Sequence, residues 1–184
     1  MRGRLVLMVI STGLAAAQPQ PIDTNHSALS IHVYKAGVFS AFGHDHEIRA
    51  PIARGSADTS AKQVELHVES AALRVIDAKA SEKDRDEIQK TMLGPEVLDV
   101  ARFSEIAFRS TSAESAGSNS WRVRGDLTLH GQTRPITIEV AQSDGRFTGH
   151  AVFKQSDFGI KPVRVAGGTV RVKDELRIDF DIRM

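Results

Sequence analysis

The stretch Gly125-Asp126-Leu127-Thr128-Leu129-His130-Gly131-Gln132-Thr133-Arg134-Pro135-Ile136 carries the pattern that decides the fold. Leu127 and Leu129 alternate with polar neighbours, and the same period-two alternation resumes at 136–140, after the turn-forming residues 130–133. Such alternation places apolar side chains on one face of a strand and polar side chains on the other. The stretch therefore predicts a β-hairpin with one face turned toward the protein core.

Period-two alternation recurs along most of the chain and predicts further strands. The alternating segments are 29–34, 63–69, 106–108, 121–129, 136–140, 147–154 and 176–183. Asp144-Gly145, between two of these segments, is a strong hairpin-turn dipeptide. Seven or eight such strands with a single long connection predict an all-β, antiparallel barrel or sandwich. Alternation alone does not distinguish a filled interior from a hollow one.

The long connection contains a helical pattern. Ser81 is a favourable N-cap, Asp84 follows three residues later, and Gly94 with the proline after it is a clear stop. Residues 95–99 can add a second short helical turn. The apolar face of the predicted helix, which includes Ile88, is narrow. We therefore expect one or two short helices that lie across an opening or an edge of the sheet.

Length and composition indicate one ordinary globular domain. The chain has 184 residues, no cysteine, and 24 basic against 23 acidic residues. This balance gives no electrostatic indication of nucleic-acid binding. No like-charge run indicates a membrane-surface patch.

Residues 1–17 have the pattern of a secretory signal. Arg2 and Arg4 precede an apolar run of about ten residues, which is too short to span a bilayer as a helix, and three alanines supply a small-residue cleavage site. We expect a mature domain of residues 18–184, without a transmembrane segment, in the periplasm or secreted.

The quoted stretch resembles the GDLTLHGxT+P segment of the YceI-like, lipid/polyisoprenoid-binding family. Three weaker similarities occur in the same order as in that family. They are Ile22-Asp23 with His26-Ser27, Arg85-Asp86 followed by Leu98-Asp99-Val100 and Phe103, and Ser156-Asp157-Phe158-Gly159-Ile160. The resemblance implies an exported, lipocalin-like antiparallel barrel of about eight strands. It also implies that an apolar channel holds a long isoprenoid chain, such as a polyprenyl phosphate or a quinone tail.

Candidate ligand contacts follow from this expectation. The candidates for the channel wall are Phe39, Phe42, Leu66, Phe103, Phe108, Phe153 and Phe158. Each of these is equally consistent with a place in a packed core. Lys83 and Arg85 are candidates to bind a headgroup at the barrel mouth, because arginine binds phosphate bidentately. The alternative for both is a solvated helix face with local ion pairs.

His44 and His46 give a second functional hypothesis. On a strand, both imidazoles point to the same side, as a metal site requires. The alternative is a pair of polar contacts in a turn or at the barrel rim. This hypothesis makes the protein a metal-binding envelope protein.

No motif for catalysis is found in the sequence. Without cysteine, a nucleophile would have to be Ser or Thr, and neither a G-x-S-x-G elbow nor a glycine-rich phosphate loop occurs. We expect a binding protein rather than an enzyme, with no cofactor, that carries or stores an isoprenoid lipid or quinone. A packed structural barrel without ligand is the third alternative, and the oligomeric state stays open.

Overall fold

The computed structural model describes residues 18–36, 45–165 and 170–184. These residues form one α-helix, α1 (Glu82–Leu93), and twelve β-strands. The strands are β1 (Gln20–Pro21), β2 (Ala28–Ala36), β3 (His46–Arg49), β4 (Ile52–Asp58), β5 (Gln63–Glu69), β6 (Arg74–Val75), β7 (Glu105–Gly117), β8 (Ser120–Leu129), β9 (Gln132–Ser143), β10 (Arg146–Lys154), β11 (Arg164–Val165) and β12 (Val170–Arg183). The predicted secretory signal, residues 1–17, lies outside the described residues.

All the described strands belong to one antiparallel sheet that curls on itself. The strand order is β1-β4-β5-β7-β8-β9-β10-β12-β2-β3-β6, and β11 pairs with β12. β3, near one end of this order, and β4, near the other, are separated in the chain only by Ala50 and Pro51. The sheet therefore curls round until the segment 46–58 contributes to both of its ends.

The all-β class and the antiparallel pairing predicted from the sequence are confirmed. The predicted number of about eight strands is too low, because β1, β3, β6 and β11 are only two to four residues long. Strands of that length show no alternation that a sequence pattern could reveal.

β8 and β9 form the hairpin predicted at the quoted stretch. Leu129 pairs with Gln132, so the turn consists of His130 and Gly131 alone, with φ of 50° and 70°. Positive φ at both residues is the type I′ geometry that suits the twist of a two-residue hairpin. A Cβ at Gly131 would lie 2.5 Å from Cε1 of Phe103, whose ring covers the turn. Both the backbone angle and the lack of space therefore require glycine there.

The 3-10 turn at Gln155–Phe158 packs against this hairpin. His130 Nδ1 lies 3.3 Å from the carbonyl oxygen of Phe158, and Arg134 Nε donates to the carbonyl oxygen of Asp157 at 3.1 Å. Phe158 has no exposed surface. Two segments that the sequence marked separately, 125–136 and 156–160, thus touch each other and have a structural role.

α1 confirms the predicted helix and its ends. Ser81 is the N-cap and accepts a hydrogen bond from the Asp84 N–H at 3.1 Å, while Gly94 is the C-cap. Gln89 fastens the helix to β6 by accepting from the Val75 N–H and donating to the Leu73 carbonyl oxygen. The second helical turn predicted at 95–99 is replaced by non-helical turns. Within the described ranges, no helix is long and apolar enough to cross a membrane.

Candidate ligand-binding cavity

The inward face of the curled sheet surrounds a cavity of about 870 Å³. Its walls come mainly from the apolar side chains that strand alternation directs to one face. These are Leu29, Ile31, Val33, Ile48, Val64, Leu66, Val68, Ile106, Phe108, Trp121, Val123, Leu127, Leu129, Ile136, Ile138, Val140, Phe147, Ala151, Phe153, Leu176, Ile178, Phe180 and Ile182. The described residues do not fill this interior.

The walls of this cavity are mainly apolar. Water fills apolar cavities poorly because it finds few hydrogen-bond partners there. The chemistry of the walls therefore favours an apolar occupant.

One end of the cavity, which we name the polar end, is lined by charged and polar side chains. Lys35 of β2 and Arg171 of β12 lie in neighbouring register, and His46 of β3 is opposite the inward-facing Val33 of β2. Across from them, α1 contributes Asp84, and Glu87 lies one turn further along the helix. Groups of both signs thus surround this mouth, while the cavity interior is apolar.

At the opposite end, the turn between β4 and β5 borders the cavity with Asp58, Lys62 and Gln63. Asp58 accepts hydrogen bonds from the Ser60 hydroxyl at 2.6 Å and from the Ala61 N–H at 2.9 Å. These bonds hold the pKa of the Asp58 carboxyl below its ordinary value of 3.8. Asp58 is therefore an ionised residue that stabilises its own turn.

The outward face of the sheet carries ion pairs, one between the neighbouring strands β10 and β12 and one within β12. Arg146 Nε donates to Asp181 at 2.6 Å, and Arg177 lies 2.8 Å from Asp179. The hydrogen bond from Arg146 lowers the pKa of Asp181, and that from Arg177 lowers the pKa of Asp179. The two faces of the sheet therefore differ sharply in polarity, with the apolar one inside.

Three of the residues predicted for the channel wall, Leu66, Phe108 and Phe153, line the cavity. Phe39 and Phe42 lie outside the described residues. Most of the wall is aliphatic, and apart from Leu66 these aliphatic residues were not among those predicted for the channel wall. The same alternation that predicted the strands could have identified them.

Phe158 and Phe103 were also predicted for the wall, and the structure places both elsewhere. Phe158 is fully buried behind the wall, where its ring packs edge-to-face against Phe153 with 5.2 Å between centroids. The ring of Phe103 packs against His130 at 4.5 Å on the β8–β9 turn. Both residues therefore support the barrel from outside the cavity.

The two residues predicted to bind a headgroup do not line the cavity. Arg85 Nη1 donates to the backbone carbonyl oxygens of Asp77 at 3.2 Å and Ala80 at 3.0 Å, so its guanidinium braces the loop that precedes α1. Lys83 borders a shallow surface depression on α1 with other charged residues of that helix.

His46 forms a hydrogen bond that the sequence did not predict. Its Nδ1 lies 2.6 Å from Oδ2 of Asp77, which is buried, and the other oxygen of Asp77 accepts the Glu47 N–H. His44 lies outside the described residues. Across the described part of the chain, no three His, Asp or Glu side chains converge on a possible metal site. Asp77 had no sequence signature, because it stands 31 residues from His46 in an ordinary loop.

Comparisons with known proteins agree on one family. A family model described as "YceI-like domain" matches residues 21–184. A UPF0312 protein of Vibrio cholerae serotype O1 is 28% identical over 193 residues, which cover 93% of this chain and 96% of the relative. A UPF0312 protein of Shewanella putrefaciens is also 28% identical, over 88% and 89% of the two chains. The crystal structure of BcnA from Burkholderia cenocepacia has a TM-score of 0.63 and 20% identity, covers 88% of this chain and 98% of its own, and shows the same fold.

Proposed function

The chain belongs to the YceI-like family, and on that premise we propose that it binds a long isoprenoid-type chain, such as a polyprenyl phosphate or a quinone. In this proposal the curled sheet serves as a lipocalin-like container. The observation that carries the proposal is the cavity of about 870 Å³ with nearly continuous apolar walls. Its volume lies in the range of small-molecule sites, roughly 300–1,000 Å³.

The energetics support carriage or storage without a chemical step. Each methylene group transferred from water to an apolar wall contributes about 0.8 kcal/mol. A twenty-carbon isoprenoid therefore gains up to about 16 kcal/mol, from which the cost of ordering the ligand and the protein must be subtracted. This gain is enough to keep an insoluble chain bound in an aqueous compartment. The protein then needs no catalytic group and no cofactor.

We also propose that the protein acts outside the cytoplasm, in the periplasm or after secretion. The support is the pattern of residues 1–17, where two arginines precede an apolar run and a small-residue cleavage site. N-terminal sequencing of the protein from its own cells should give a mature chain that begins near Gln18. A chain that retains Met1 would refute the export proposal.

Native mass spectrometry of the protein purified from its own cell envelope tests the ligand proposal. We expect a bound mass that organic extraction releases as a polyprenyl lipid or a quinone. Addition of such a lipid to stripped protein should restore the bound mass. A clean apo mass, with no uptake of added isoprenoid lipids, would refute the proposal.

A further inference from the structure

We propose that His46, oriented by Asp77, is the polar anchor of the cavity, and that its Nε2 forms a hydrogen bond with an oxygen at the end of the apolar ligand. The oxygen is that of a hydroxyl or of a phosphate. The inference rests on the proposed function and adds to it the direction in which the ligand lies. The polar head lies at the polar end, beside α1, and the chain runs into the apolar interior.

The orientation of the His46 imidazole is fixed by Asp77. Nδ1 of His46 lies 2.6 Å from Oδ2 of Asp77, whose side chain is only 4% exposed. Oδ1 of Asp77 is held in turn by the Glu47 N–H. With the Asp77 carboxylate as acceptor, Nδ1 is the ring nitrogen that donates. The ring plane is therefore set before any ligand binds.

The other ring nitrogen of His46 is Nε2. The side chain of His46 lines the cavity and is 20% exposed. Within the described ranges, the only hydrogen-bond partner of this ring is Asp77, at Nδ1. Nε2 is thus available at the cavity surface. In the neutral ring it accepts a hydrogen bond from a hydroxyl, and in the protonated ring it donates one to a phosphate oxygen.

The support behind the ring is rigid. Arg85 donates to the carbonyl oxygens of Asp77 and Ala80, and the Ile76 N–H donates to the Glu47 carbonyl oxygen at 2.9 Å. The loop that carries Asp77 is therefore tied both to β3 and to α1. A group held in this way loses little freedom when it binds a ligand, which favours affinity. Asp77 and Arg85 act as positioning residues in this arrangement.

The charges around the polar end determine which ligands to compare. Lys35 and Arg171 line the same cavity as Asp84, Glu87 and His46, so cations and carboxylates both border the polar end. The cations suit a phosphate, and the mixed signs also admit an uncharged alcohol. A hydrocarbon of the same length has no group that His46 can bind.

The test is a ligand titration in which the fluorescence emission of Trp121 is monitored. Trp121 is the single tryptophan and lines the cavity. The probes are geranylgeraniol, geranylgeranyl phosphate and the C20 isoprenoid hydrocarbon of the same chain. We expect His46→Leu to weaken binding of the alcohol, the phosphate or both by about 10-fold, as for the loss of one hydrogen bond. Binding of the hydrocarbon should change by less than about 2-fold. His46→Gln keeps a polar end and should recover part of the affinity.

Asp77→Asn provides the control for orientation. Asparagine retains an oxygen for the Glu47 N–H, but its amide can donate to Nδ1 and so favours the opposite tautomer. Because a hydroxyl can also accept from Nε2–H, we expect the alcohol to lose less affinity in Asp77→Asn than in His46→Leu, with an unchanged hydrocarbon affinity. Equal losses for alcohol, phosphate and hydrocarbon in His46→Leu, or no loss for any of them, would overturn the anchor while the wild type still binds. A wild-type protein that takes up none of the three probes would overturn the proposed function itself.

Discussion

Replacement of Ala151 by phenylalanine should shorten the longest isoprenoid that the cavity accepts. Ala151 lies on the inward face of β10, opposite Ile138 of β9 and Ile178 of β12, and lines the cavity. If each ligand carbon takes about the ~30 Å³ of a water molecule in the liquid, a cavity of about 870 Å³ holds about 29 carbons. Affinity should therefore increase with chain length up to about six isoprene units and then level off.

The phenyl ring introduces roughly six carbons into this space, which is about one isoprene unit. A chain that fills the wild-type cavity should lose up to about 5 kcal/mol of burial in Ala151→Phe, at ~0.8 kcal/mol per carbon. A chain of about fifteen carbons should bind as it does to the wild type, because enough space remains. The ligand length at which affinity levels off should fall by about one isoprene unit.

The assay is the emission of Trp121 during titration with isoprenoid alcohols of increasing length. Val152→Phe is the matched control, because Val152 is the next residue and its side chain is 44% exposed on the outer face. We expect this control to show the wild-type length dependence. An identical length dependence in Ala151→Phe, or an equal loss of affinity for short and long alcohols, would refute the assignment of the cavity as the binding site.

Three further predictions concern the fold around the cavity. Gly125→Ala should lower the free energy of unfolding in urea by about 1–3 kcal/mol through overpacking, because the new Cβ would lie 2.6 Å from the Arg109 carbonyl oxygen. An unchanged midpoint of urea unfolding would contradict this prediction. The hydrogen bond from Arg146 holds the pKa of Asp181 below 3.8, so the unfolded chain binds more protons there and stability should fall as the pH drops below about 4. Asp181→Asn should accordingly lose less stability than the wild type between about pH 6 and pH 3, and an equal loss in urea unfolding would exclude this contribution. Gln89→Ala leaves two backbone groups of the β6 region without their partner and should cost about 1–3 kcal/mol of local stability. Hydrogen exchange should therefore become faster in α1 but not in β8. An equal change of the exchange rates in α1 and β8 would refute the role of Gln89 in fastening the helix.

The main strands were predictable where their alternation is uninterrupted, whereas β7 and β12 continue past irregularities at 110–112 and 172–176 that the predicted segments did not cross. Leu127 and Leu129 face inward as their spacing predicts, and the short helix begins after Ser81 as its capping pattern predicts. β4 was missed because the polar run Arg54-Gly55-Ser56 breaks the alternation. The pairing of β4 with β5 is shifted between Ile52 and Arg54, which shows that an irregularity hid the strand.

The candidate site was less predictable than the fold. Phenylalanines were named for the wall because they are conspicuous in a sequence, yet Phe158 belongs to the packed core and aliphatic side chains form most of the wall. The contact between His46 and Asp77 joins a strand to a loop 31 residues away, and only the folded chain brings them together. No local spacing encodes a contact of that kind.

The pairing of β2 with β12 has a consequence for the folding of the chain. β2 occupies residues 28–36, and its neighbour β12, the last strand of the chain, occupies residues 170–183. The two strands are more than 130 residues apart in the sequence, so the sheet cannot be completed until residues 170–183 have been placed beside β2. Until then β2 and β10 each lack a neighbour, and unpaired strand edges invite association with other chains. The strand β12 is therefore what protects both edges, and proteolytic removal of residues 170–183 would expose the edges of β2 and β10 together.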